Sequence, residues 1–203
     1  MENHYFILRH GETIYQTKKK GFAYPQPDNK TRVKLTGKSE KKIKKLAKKI
    51  KKEKIDLIYS SDIFRVVQTA EIVAKELKLN VNFDKRLRDV NLGIYHGKTK
   101  AEFYKDFPDT KKRFTQKSKG GESWNDVKKR MLNLLKEIDK KYKNKTILIV
   151  SHGDPLWLLE GVIKKMTNQE LLDEIFVKKN YIKVGEFRKL CPVEKFRTPS
   201  GEN

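Results

Sequence analysis

Two of the four histidines in this 203-residue chain share a local arrangement. His10 and His152 each close an apolar run and are each followed by glycine, as Arg9-His10-Gly11 and Ser151-His152-Gly153. One histidine at a strand end is commonly just a satisfied polar residue, but two with arginines beside them suggest chemistry. A neutral imidazole, with a reference pKa of about 6.5, can attack phosphorus without a metal-generated hydroxide. Arg9 adjoins His10, and Arg65 lies one helical turn beyond a third polar cluster, Ser60-Ser61-Asp62. The planar guanidinium fork matches phosphate oxygens, and a backbone N–H at a helix start adds to such an anion site. Arg9, Arg65 and the second histidine would neutralise the equatorial oxygens as a phosphoryl group passes in line. The leaving alkoxide still needs a proton, and Asp89, in the turn-rich stretch 86–99, is the carboxylic acid placed to supply it.

These residues need a frame that brings them together. Strand-like runs (HYFIL, IDLIYSS, VNF, KTILIVS and YIKVGEFRKL) alternate with helical patterns over 39–54, 61–77, 123–142 and 153–163. Such alternation predicts an α/β fold, a three-layer α/β/α sandwich with a mostly parallel central sheet. Ligands in that architecture collect beyond the carboxyl ends of the strands, where all three polar clusters fall. Ser61 or Asp62 is expected to cap the second helix, and Ser123 with Asp126 has capping-box spacing for the helix that follows. Residues 98–119 read as short helices and loops. The chain divides into one domain over 1–190 and a polar tail over 191–203.

The formal charge of +22 raises the question of a nucleic-acid partner. Of 48 basic residues, nine are arginine and 39 lysine, spread over every polar face, so solvated surface is favoured over a nucleic-acid site. The positive field still draws in anionic substrates. Ile43, Leu46, Ala47 and Ile50 form a narrow stripe without aromatics, better suited to packing on a sheet than to a membrane surface. No apolar run reaches the length of a membrane span, none resembles a secretory signal, and Cys191 is the single cysteine. The expectation is a cytoplasmic protein with a structural thiol, no disulfide and no metal cluster. His4 and His96 show no metal-ligand spacing. Nothing in the sequence assigns an oligomeric state.

Five stretches, LRHGET, YSSDIFRVVQTA, LRDVNLGIYHG, GGES and VSHG, resemble in order and spacing the histidine phosphatase superfamily, the phosphoglycerate mutase-like family. The resemblance runs from about Tyr5 to Phe187. It implies that His10 is the phosphorylated nucleophile, that Arg9, Arg65 and His152 complete the phosphate pocket, and that neither metal nor cofactor is used. By the same resemblance Thr13, Gln16, Gly153, Glu122 and Ser123 border the substrate, while Glu12 is structural. Gln16 stands where many members carry asparagine, and helix capping explains Ser123 equally well. Asp89 departs from the family's usual glutamate by one methylene, His96 replaces a frequent glutamate, and LTGKSEKK departs from the usual LTxxGxxQ. Glu102 is a reserve acid whose plainer reading is an exposed helical residue. Arg32 and the neighbouring lysines could line the entrance, with solvated loop charge preferred for the lysines. Only about thirty residues separate Asp89 from Gly120, shorter than the insertion mutases of this family usually carry. The favoured function is therefore hydrolysis of a small phosphorylated metabolite. The alternatives are a cofactor-dependent phosphoglycerate mutase, and a basic polyanion-binding scaffold with weak activity.

Overall fold

The computed structural model describes residues 3–25 and 32–190. Five strands, β1 (His4–Arg9), β2 (Leu57–Ser60), β3 (Val81–Phe83), β4 (Thr146–Ser151) and β5 (Phe187–Leu190), form one sheet in the order β3-β2-β4-β1-β5. Every pairing is parallel except β1 with β5. Helices cover both faces, which gives the expected three-layer sandwich.

The period-two side-chain alternation of a strand explains how one sheet holds two cores. From β1 and β4, Tyr5, Ile7, Ile147 and Ile149 pack with α4 (Trp124–Lys141), α5 (Gly153–Ile163) and α6 (Asn168–Phe176). Phe6, Leu8, Leu148 and Val150 point the other way, towards α1 (Gly37–Ile50) and α2 (Phe64–Leu77). The stripe on α1 is spent here: Ile43, Ala47 and Ile50 are buried in that second core. Their lysine neighbours remain outward. The apolar run after β4 makes α5 a helix buried nearly all round, as its lack of a polar face requires.

Strand register does the positioning. Arg9 lies opposite Ser151, and Ser60 opposite Val150, so His10, Ser61 and His152 leave the sheet at one edge. Three details differ from expectation. First, α2 has Ile63 as its N-cap, with no side-chain cap bond. Ser61 is buried and turned to His152, while Asp62 is held by a bidentate pair from Arg88 at 2.6 and 2.5 Å. Second, the final strand is confined to Phe187–Leu190, because the chain before it turns in so that Gly185 N–H reaches the Arg9 and His10 carbonyls. Third, α6 is absent from the sequence reading although Thr167 and Glu170 form a capping box at its start. The short α3 (Lys100–Asp106) and a 3-10 turn (Thr110–Phe114) fill the middle segment as expected. Cys191, the tail and part of the basic loop lie outside the described residues.

The helix that the sequence reading missed supplies a stability test. Thr167→Ala removes the side chain that accepts the Glu170 N–H, and is expected to cost about 1 kcal/mol. Urea unfolding measures this; an unchanged midpoint would show that the cap is not formed in solution.

Candidate active site

His10 leaves β1 into a fully enclosed position, 1% exposed. Its Nδ1 lies 2.7 Å from the Gly11 carbonyl oxygen, which can only accept. Nδ1 therefore carries the proton and Nε2 keeps its lone pair. Burial first, then the charges of Arg65 and Arg9, hold this histidine well below its ordinary pKa. His152 lies edge-on to it, with ring centroids 5.5 Å apart. Its Nδ1 faces Arg65 Nη2 at 3.0 Å, and since a guanidinium only donates, Nδ1 accepts. The Nε2–H then donates to Ser61 Oγ at 3.0 Å. Burial, followed by Arg65 and His10, keeps His152 neutral too.

Arg65 reaches this point from the first turn of α2 and is buried. Its guanidinium donates to Asp89 Oδ2 at 3.3 Å, and the Tyr24 ring lies 3.7 Å from its central carbon. Arg9 donates to the Ile182 carbonyl at 2.8 Å and packs beside the Tyr181 ring. Its Nε is buried and finds no acceptor among the described residues.

Both glycines of the histidine motifs permit close approach. A Cβ at Gly11 would stand 2.3 Å from Ser39 Oγ of α1, the atom that accepts the Glu12 N–H. A Cβ at Gly153 would stand 2.2 Å from the Tyr181 hydroxyl and 3.0 Å from the Arg9 guanidinium carbon.

Asp89 does reach the pocket despite its shorter arm. Its Oδ2 lies 3.5 Å from His152 Nδ1, and its Oδ1 accepts the Val90 N–H. The backbone brings it in: Arg130 donates to the Arg86 and Asp89 carbonyls, and Arg88 clamps Asp62. Removal from bulk water raises the Asp89 pKa; Arg65 opposes this and Asp154 reinforces it. His96 bridges two loops, donating from Nδ1 to the Tyr24 carbonyl at 2.9 Å and accepting the Leu92 N–H at Nε2. The imidazole thus ties the Asp89 loop to the Tyr24 loop.

Arg9, Arg65, Asp89, Gln16 and Gly153 line a cleft of about 470 Å³, and His10 and His152 lie behind them. Gln16 and Thr13 are both bonded to the Tyr24 hydroxyl at 2.8 Å, and Thr13 is buried beneath it. Glu122 and Ser123, expected to border this pocket, are not in its lining. Glu122 is gripped by Arg130, and Ser123 caps α4, so both brace the wall from behind. Glu102 caps α3 through Thr99, away from the cleft lining. Arg32 packs over Phe64 instead of lining the cleft. Among the described residues, no group of three or more His, Cys, Asp or Glu side chains could hold a metal ion. No helix there is long and apolar enough to cross a membrane.

Among the cleft residues with no place in the sequence reading are three that touch the phosphate pocket: Tyr24, Asp154 and Tyr181. Asp154 accepts from the Tyr181 hydroxyl at 2.5 Å and from Trp124 Nε1 at 3.1 Å. Its position directly after His152-Gly153 was the available signal. Tyr24 and Tyr181 carry no such mark, because only tertiary packing puts their rings beside the arginines.

Residues 5–180 match the family model described as histidine phosphatase superfamily (branch 1). The chain is 32% identical over 168 residues to phosphoglycerate mutase-like protein 4 of Arabidopsis thaliana, covering 79% of this chain and 67% of that protein. It is 28% identical over 155 residues to phosphoserine phosphatase 1 of Hydrogenobacter thermophilus, covering 74% and 71% respectively. In fold it resembles a mycobacterial glucosyl-3-phosphoglycerate phosphatase solved with VO3, with a TM-score of 0.77, 24% identity, and coverage of 92% of this chain and 90% of that one. The chain belongs to the histidine phosphatase superfamily, and with it to the phosphoric monoester hydrolases.

The two buried, neutral histidines make stability depend on pH. Their folded pKa values are depressed, so below about pH 6.5 the unfolded chain binds protons that the folded chain does not. Each is expected to remove about 1.4 kcal/mol per pH unit as pH falls below that point. Chemical denaturation between pH 7 and 5 checks this: His152→Asn should flatten the slope by one histidine's share, and an unchanged slope would contradict the assignment.

Proposed function

We propose that the protein hydrolyses small phosphomonoesters through a phosphohistidine formed on His10. The observation that carries this reading is the Nδ1–H bond to the Gly11 carbonyl, which leaves Nε2 as an unprotonated nucleophile under the influence of the Arg65 and Arg9 charges. In the first half-reaction Nε2 forms a bond to phosphorus as the ester P–O bond breaks. Arg9, Arg65 and His152 surround the phosphoryl oxygens, and the arginines offset the charge that gathers on them. Protonated Asp89 gives its proton to the departing alkoxide. In the second half-reaction the Asp89 carboxylate takes a proton from water, the hydroxide attacks phosphorus, and the N–P bond breaks. Inorganic phosphate leaves, and Asp89 is protonated again. Thr13 and Gln16 hold the Tyr24 ring over Arg65 and so position that cation. The similarity to phosphoserine phosphatase 1 supports a small-metabolite substrate.

His10→Ala is expected to abolish chelator-insensitive turnover of a phosphomonoester. Persistent turnover would remove His10 from the reaction, and bisphosphate-dependent transfer between phosphoglycerates would select a mutase. Salt-sensitive RNA binding that survives His10→Ala, with no turnover, would select the scaffold.

The pH dependence follows from signs. His10 must be neutral, and its lowered pKa keeps it so into the acid range; Asp89 must be protonated, and its raised pKa extends that form upward. The rate on an alkyl phosphate is therefore expected to fall as pH rises through the Asp89 pKa. Asp89→Asn should remove that limb and cost about 10²- to 10⁴-fold on the alkyl ester. On a nitrophenyl ester, whose leaving group needs no proton, the first step should be little affected. Equal losses on both esters in the rate of phosphohistidine formation, the step before the shared intermediate is hydrolysed, would contradict the assignment of Asp89.

A further inference from the structure

Beyond the phosphate pocket the cleft is walled by rings. Phe22, from the loop after β1, is 43% exposed; Tyr104 of α3 is 50% exposed; Phe176, at the end of α6, is 57% exposed. All three line the one cleft, with the buried Phe103 and Trp124 behind them. Three elements converge to leave aromatic surface in water at the mouth of an anion site. A clustered apolar patch of this kind marks a ligand surface, whereas singly scattered exposed residues do not.

The polar groups of the same wall argue against a carboxylated substrate. Besides Arg9 and Arg65, the lining carries two cations among the described residues, Lys100 and Arg113. Lys100 is exposed at the mouth. Arg113 is stacked on Trp124 at 4.1 Å and faces Asp154 at 3.5 Å, so its charge is already answered. Arg113 and Asp154 thus answer one another, which leaves Lys100, out at the mouth, as the cation beyond the phosphate pocket that could meet a substrate carboxylate. The volume, about 470 Å³, lies in the range of pockets that enclose ring-bearing ligands.

We infer that the cleft selects phosphomonoesters whose alcohol carries an aromatic ring, seated among Phe22, Tyr104 and Phe176, over small carboxylated phosphates such as phosphoserine or 3-phosphoglycerate. This rests on the phosphatase reading for the position of the phosphate. The ring stacks at the mouth while the ester oxygen stays beside Asp89.

Steady-state kinetics on 2-phenylethyl phosphate, ethyl phosphate and 3-phosphoglycerate test it, since all three release alkyl alcohols. The phenylethyl ester is expected to have the highest kcat/KM. Tyr104→Ala and Phe176→Ala should each lower that value about three- to tenfold, through KM, and leave ethyl phosphate unchanged. Preference for 3-phosphoglycerate, or equal losses on ethyl phosphate, would overturn the inference. Calorimetry with the non-hydrolysable 2-phenylethylphosphonate separates it from the reaction itself. If no ester is turned over, the phosphatase reading fails. Ring-dependent binding of the phosphonate would still support the aromatic subsite, and binding insensitive to Tyr104→Ala and Phe176→Ala would overturn it.

Discussion

The contact between the Arg65 guanidinium and His152 Nδ1, 3.0 Å long and buried, sets the chemistry of the whole pocket. A guanidinium cannot be deprotonated in a protein, so its neighbours must adapt. Burial first, and then this charge with that of Arg9, holds both histidines neutral, and a neutral imidazole is the form that can attack phosphorus. The same cation donates to Asp89, whose pKa nonetheless stays above its ordinary value, because desolvation and Asp154 outweigh the attraction. One fixed positive charge thus sits beside an imidazole without an extra proton and a carboxyl group whose pKa is raised. Bringing a phosphate dianion into that field completes the charge balance that the protein leaves tilted.

The fold exists to keep these groups together at the edge of a sheet. Parallel register places the ends of β1, β2 and β4 side by side, and each delivers a short polar segment to one crevice. Close approach then fixes the details. Gly11 lets Ser39 of α1 reach the backbone beside His10, and Gly153 lets Tyr181 lie against Arg9. Around this centre, structural ion pairs pull the Asp89 loop inward: Arg88 with Asp62, and Arg130 with Glu122. Those clamps hold the loop so that the Asp89 carboxyl lies in the cleft, within 3.5 Å of His152 Nδ1.

Much of this was legible in the sequence for a physical reason. Period-two and helical patterns mark buried faces, and Tyr5–Leu8 and Ile147–Val150 are apolar on both sides because helices cover both sides. The motif histidines and arginines were legible because strand ends are where such folds expose backbone to ligands. Capping was readable where side chain and backbone are neighbours, as at Ser123, but not at Ser61, whose hydroxyl also answers a histidine from a distant strand. The boundary of the last strand was misread because Gly185 turns inward to reach the Arg9 and His10 carbonyls. Tyr24 and Tyr181 were invisible because their roles arise from contacts across the fold, whereas Asp154 was marked only by its place after His152-Gly153. In the sequence, His96 stands out only as a departure from a frequent familial glutamate. In the structure its ring joins the acid loop to the Tyr24 loop.

The central claim is that His10 Nε2 carries the phosphoryl group between donor and water. It is tested most directly by mixing the protein with a phosphomonoester, quenching in alkali within the first turnovers, and locating the added mass by peptide mass spectrometry. The account predicts one phosphoryl group on the peptide containing His10, lost on brief acid treatment and absent from His10→Ala. A phosphorylated peptide elsewhere, or product formed with no phosphoprotein at any quench time, would contradict it.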